Sequence, residues 1–98
     1  MQKIINFENN KNLRVLINYN LTFNELVFWG QIKTKNLVWV NAVDSRHDIE
    51  EVIGDNPSID FEETITKIYK ETKKKHEIMK SFEKIFSDIK TIDVVDED

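Results

Sequence analysis

Residues 61–89 read FEETITKIYKETKKKHEIMKSFEKIFSDI, and this stretch decides the fold. Phe61, Ile65, Ile68, Thr72, Met79, Phe82, Phe86 and Ile89 recur at steps of three, four or seven, with Tyr69 and His76 beside them. At about 100° per residue these positions share one side of an α-helix, and Lys67, Lys70, Lys73, Lys74, Lys80 and Lys84 share the other. Neither Gly nor Pro interrupts the chain from Ser58 onward. Asp60 or Ser58 is placed to cap the helix, with Glu62 and Glu63 favourable in its first turn. The expectation is a long amphipathic helix over residues 59–90, followed by an acidic tail at 91–98.

Over residues 60–90 such a helix is about 46 Å long, whereas a seven-residue strand spans only about 23 Å. Roughly a third of it therefore overhangs any sheet it packs on. Its apolar side continues through Phe82, Phe86 and Ile89, so the overhang needs cover. A bend near residues 73–75, the tail at 91–95, or a second chain could supply that cover.

Upstream, Asp44 and Ser45 mark a change of period. Ser45 followed by Asp48 reads as a helix start, with Ile49, Val52 and Ile53 on one face and Gly54 ending it. This predicts a short acidic helix over 45–54, then a turn at Asp55-Asn56-Pro57.

The first 43 residues read as strands. Leu13, Val15, Ile17, Tyr19 and Leu21 alternate with Arg14, Leu16, Asn18 and Asn20, the period-2 pattern of a half-buried strand. Residues 3–8, 26–33 and 37–43 supply three more, with connections too short for crossovers. Thr22-Phe23-Asn24-Glu25 fits a capping box, which makes a helix over 23–29 the alternative there. Val27, Phe28, Trp29 and Ile32 favour strand. The predicted class is α+β, a single domain over 1–98: a four-stranded antiparallel meander at 1–43, the short helix, then the long helix packed on the sheet.

Composition bounds the function. The chain has 98 residues, ten of them aromatic, and no cysteine. Disulfide scaffolds and thiolate metal sites are thereby excluded. The opening Met1-Gln2-Lys3-Ile4-Ile5-Asn6 lacks the apolar core of a signal peptide, and no stretch is apolar enough to span a membrane. The expected setting is cytoplasmic, without membrane association.

Charge is banded. Residues 1–42 carry a net charge of +3, residues 43–63 carry −7, and residues 64–90 carry +4. The last eight residues add four acids, and the chain totals −4. A negative total disfavours duplex DNA as ligand.

No catalytic constellation is legible. Ser45, Ser58, Ser81 and Ser87 fall at expected caps or on helix surfaces, without a base and an orienting acid in recognisable spacing. Two glycines cannot build a phosphate cradle. His76 lies on the apolar side of the helix and reads as structural. His47 with Asp44, Asp48 and Glu51 offers at most a weak divalent-ion site, so neither a metal nor a cofactor is expected.

Two surfaces remain as candidates. Asp44, Asp48, Glu50, Glu51 and Asp55 form the core of the acidic band. Helix-start positions account for part of it, but Glu50, Glu51 and Asp55 lie where the helix dipole disfavours acids. Such a surplus suits a basic protein partner. Trp29 and Trp39 on the sheet, with Phe82 and Phe86 on the helix, are the apolar candidates for a partner or dimer interface.

The segment Glu50-Glu51-Val52-Ile53-Gly54, with Pro57 and Asp60, is similar to a helix-ending segment in the phage uracil-DNA glycosylase inhibitors, which are acidic DNA mimics. The surrounding order of elements differs, and no residue role is carried over.

The leading reading is a non-enzymatic binding protein: a small phage or mobile-element inhibitor or regulator, docking by its acidic surface on a nucleic-acid-handling protein such as a host defence nuclease. One alternative is a structural module dimerising through the long helix or the apolar sheet face. The other is a nucleic-acid binder using the lysine face between residues 67 and 84.

Overall fold

The computed structural model describes residues 1–96. Glu97 and Asp98, two acids of the expected tail, lie outside the described residues. The element order is β1 (Gln2–Phe7), β2 (Asn10–Asn20), β3 (Glu25–Lys33), β4 (Trp39–Asp48), α1 (Ile49–Ile53) and α2 (Phe61–Asp88). The strands pair antiparallel in sequence order, as a meander. The expected α+β architecture is what the chain adopts.

Register fixes the two faces of the sheet. Val15 pairs with Gly30 and Gly30 with Val43, while Ile17 pairs with Phe28 and Phe28 with Ser45. Paired residues project to the same side, so these positions form one face. Val15, Ile17, Phe28 and Val43 are buried against Ile68 of α2, with Leu26, Ile59 and Ile65 packed around them. Phe28, at 0 % exposure, sits at the centre. Gly30 is needed here because Thr72 and Ile68 of α2 fill the space above its backbone.

Segment 23–29 resolves towards strand. Residues 21–24 form a turn, in which Asn20 Oδ1 accepts from the backbone N–H groups of Thr22 and Phe23 at 3.1 and 3.3 Å. Asn24 takes φ 49°, which its short polar side chain tolerates. Leu21, expected to continue the buried alternation, lies in this turn and is 79 % exposed.

The short helix is a correction. Residues 44–48 are not helical; they extend β4, with Asp44 opposite Trp29, Ser45 opposite Phe28 and Asp48 opposite Glu25. Ladder bonds to β3 outweigh the local capping signal at Ser45. The cap is Asp48, whose backbone N–H donates to Glu51 Oε2 at 3.1 Å. Five residues of helix follow, and Gly54 ends them as expected.

The long helix begins later than 59 because Ser58 and Ile59 donate their N–H groups to Glu51 O instead. Asp60 is its cap, accepting from Glu63 N at 3.1 Å. It then runs unbroken for 28 residues, about 42 Å. Ile68, Thr72 and His76 are its buried positions. Met79 and Glu83 are half-buried, and everything from Lys84 to Asp96 is exposed. The molecule is accordingly elongated, with extents of 66 × 38 × 20 Å. Its radius of gyration is 18.4 Å, against about 13 Å for a compact domain of this length. No helix among the described residues is long and apolar enough to cross a membrane.

Candidate functional site

The acidic band does not form one patch. Asp44 projects from β4 on the face away from α2, where its carboxylate meets Arg46 Nε at 3.1 Å. Arg46 also donates to Glu25 Oε1 at 2.7 Å. These bonds, Glu25 first and then Asp44, hold the Arg46 guanidinium even more firmly protonated than usual. Asp48 is the α1 cap, and Glu50 and Glu51, expected late in the helix, fall in its first turn, where the dipole favours acids. Glu50 borders a shallow hollow with Asp48, Phe23 and Asn24, and Asp55 is exposed in the bend beyond α1.

What the fold does assemble is a cleft of about 490 Å³ between β4, α1 and the start of α2. Glu51 borders it, joined by Asp60, Glu63 and Glu71 from the helix side, while Asp44 adjoins it with its carboxylate turned to the far face of the sheet. Lys67 is its one lysine. Two elements, α1 and α2, thus bring acids around a single hollow. Asp60 and Glu63 belong to the acidic band of the sequence but read there as helix-start acids, and Glu71 looks like an ordinary surface acid.

One hydrogen-bonded chain in this cleft was also invisible in the sequence. Ser45 Oγ and His47 Nε2 are 2.7 Å apart, and His47 Nδ1 lies 3.4 Å from Glu51 Oε2. Read as helix, Ser45 and His47 point in different directions; as strand residues two apart they share a face. The signal that could have found them is the alternation Val43, Ser45, His47, which continues the strand period. Nucleophile, base and acid stand here in the order of a hydrolytic triad. Yet Ser45 lies mid-strand, without the turn or helix N-terminus that supplies oxyanion donors, and Glu51 is already bonded to the α1 cap. His47 also packs edge-on against Phe28, at 5.6 Å between centroids. The chain fastens α1 to β4.

The tryptophans sit on the opposite face of the sheet and are half-buried. Arg46 lies over Trp29 at 5.3 Å, and Arg14 over Trp39 at 4.1 Å. Between them Gln31, nearly buried, accepts from Arg14 Nε at 2.7 Å and donates to Asn41 Oδ1 at 2.8 Å. This face is therefore roofed by its own polar side chains over aromatic rings, not left as an open apolar sheet.

Phe82 and Phe86 are far from those tryptophans and lie on bare helix. Their rings stack at 5.8 Å, and they are 51 % and 64 % exposed. Ile78, Ile85 and Ile89 join them, each more than half exposed. With Thr72 as the sheet-facing direction, these five lie roughly 220–320° around the axis at 100° per residue. The apolar side of α2 therefore turns by about a quarter of the circumference as it leaves the sheet. Ile78 and Ile85 are the members that a single straight stripe omits.

The lysine face is dispersed among its neighbours. Lys80 lies 3.7 Å from Glu77 and Lys67 belongs to the acidic cleft, while Lys75, on the apolar side, donates to Ala42 O at 2.7 Å. No cluster of three or more His, Cys, Asp or Glu that could hold a metal ion occurs among the described residues. No known protein family, curated protein or solved structure matches the chain.

Proposed function

We propose that this chain works as a binding protein, not an enzyme, and that its working surface is the free C-terminal half of α2. One observation carries the reading: Ile78, Phe82, Ile85 and Phe86 are exposed together on an unbroken helix, with exposed Ile89 at its C-cap. Neither a bend nor the described tail shields them, since α2 is unbroken and residues 91–96 are irregular and exposed. Five such side chains present on the order of 500–600 Å² of apolar surface, the upper end of what a solitary protein leaves bare. Large contiguous apolar faces rimmed by charge are docking surfaces for other macromolecules.

A photo-cross-linking side chain at position 82 tests this. Adducts to another protein chain, of whatever kind, are expected at 82 and not at the still more exposed Leu21. An absence of adducts at 82, both for the purified chain and in the producing cell, overturns the reading.

A second reading keeps the acidic surface. The convergence of Glu51, Asp60, Glu63 and Glu71 on one cleft favours a basic protein partner. An inhibitor or regulator that occupies the basic groove of a nucleic-acid-handling protein, as some phage products do, has this chemistry. The cysteine-free composition fits a cytoplasmic site of action. Reversing Glu51 and Glu63 to lysine then abolishes capture of that partner, and unchanged capture removes the cleft from consideration. Nucleic acid itself is the weaker candidate, because the aromatic residues of α2 lie off its lysine face.

A further inference from the structure

We infer that the occupant of the free end of α2 is a second copy of this chain, its own α2 lying antiparallel about a two-fold axis near Phe82. The inference rests on the docking reading above and narrows it to one partner.

The spacing of the exposed residues is the first argument. Ile78, Phe82, Ile85 and Ile89 are separated by four, three and four residues. That is the alternating seam of a two-helix coiled coil, in which each side chain fits between four of the facing helix. Phe86 flanks the seam and widens it. A seam of this kind is matched best by another of the same period, and the chain supplies one in its own second copy. Because the seam is short and ends near the last turn, two copies can bury it fully only by overlapping these ends.

Charge selects the direction. The residues flanking the seam at heptad spacing are Lys74, Ser81 and Asp88, running from positive through neutral to negative. An antiparallel copy brings the Lys74 end of one helix towards the Asp88 end of the other, whereas a parallel copy sets like ends side by side. Opposed helix dipoles act in the same sense. The antiparallel arrangement also leaves the two sheets at opposite ends, clear of each other.

Area is sufficient. Two faces of the estimated size bury about 1,000–1,200 Å² together, and Met79 and the Lys75 methylenes lie at the margin. That reaches the lower range of specific interfaces.

Light scattering on the full chain at micromolar concentration gives the test. The expected mass is twice the 11.7 kDa of one chain. Phe82→Glu and Ile85→Glu should each return the mass to that of one chain with an unchanged circular dichroism spectrum, while Leu21→Glu leaves the pair intact. A melting temperature that rises with protein concentration, lost in Phe82→Glu, provides a second readout that survives if one variant folds poorly. Spin labels at Thr66 should lie about 50 Å apart in the antiparallel pair.

Single-chain mass for the unaltered protein, doubled mass for Phe82→Glu, or close approach of the Thr66 labels overturns the inference. A single chain that binds vesicles of anionic phospholipid through Phe82 also overturns it. Single-chain mass together with cross-links from position 82 to a different protein sinks the inference and leaves the docking reading standing.

Discussion

The hydroxyl of Thr72 lies directly above the α-carbon of Gly30, in the space that any side chain at position 30 would need. Thr72 Oγ1 is held there by donating to Ile68 O at 2.6 Å, and both residues are buried. This contact sets how closely α2 approaches the sheet, and so where the helix leaves it.

Gly30→Ala is therefore expected to cost about 1–3 kcal/mol, the usual range for overpacking a tight core. Thr72→Ala removes the clashing hydroxyl, so the double variant should be more stable than the sum of the single losses predicts. Urea unfolding of the four proteins gives the coupling, and strict additivity would show that the contact does not decide the helix position.

Leu37 is strained. It takes φ 62° in the connection between β3 and β4 while 73 % of it is exposed. Asn tolerates this conformation and Leu does not. Leu37→Asn should stabilise the protein by roughly 0.5–1 kcal/mol, read as a higher melting temperature. A lower one would mean that the exposed leucine has a packing role.

Asp60 and Ser58 are alternative caps in the sequence, and the structure uses Asp60. Asp60→Ala should lower stability by about 1 kcal/mol and Ser58→Ala by much less. Equal effects in thermal unfolding would contradict this assignment.

His76 is 5 % exposed, and its Nδ1 has no hydrogen-bond partner among the described residues. Burial first, then the charge of Lys80, lowers its pKa, with Glu77 and Glu83 pulling the other way. In the unfolded chain it titrates near its ordinary value of about 6.5. Below that pH the unfolded chain binds the extra proton and the folded one does not, so acid destabilises the fold. His76→Leu should lose less melting temperature than the unaltered protein between about pH 7.5 and about pH 5.5. Parallel losses would assign the acid sensitivity to other groups.

Arg46 shields Trp29. Arg46→Ala should shift tryptophan emission to longer wavelength as water reaches the ring, with little change in secondary structure. An unshifted spectrum would mean that other side chains exclude the water.

Local patterning determined the elements of this protein. The alternation through Leu13, Val15 and Ile17 specifies a strand, and the spacing of Ile65, Ile68 and Thr72 specifies a helix, because backbone geometry turns those periods into faces. The same arithmetic shows that α2 outruns the sheet, since both lengths follow from residue counts. Non-local contacts decided the rest. Hydrogen bonds to β3 extended β4 to Asp48, overriding a local helix start at Ser45 and placing Ser45 and His47 on one face. Arg14, Gln31 and Arg46 roof Trp29 and Trp39 only because strand register brings them alongside. Acids from α1 and α2 meet in one cleft through tertiary packing alone. The turn of the apolar side, from Thr72 towards Phe82, becomes visible only once Gly30 fixes which way α2 faces the sheet.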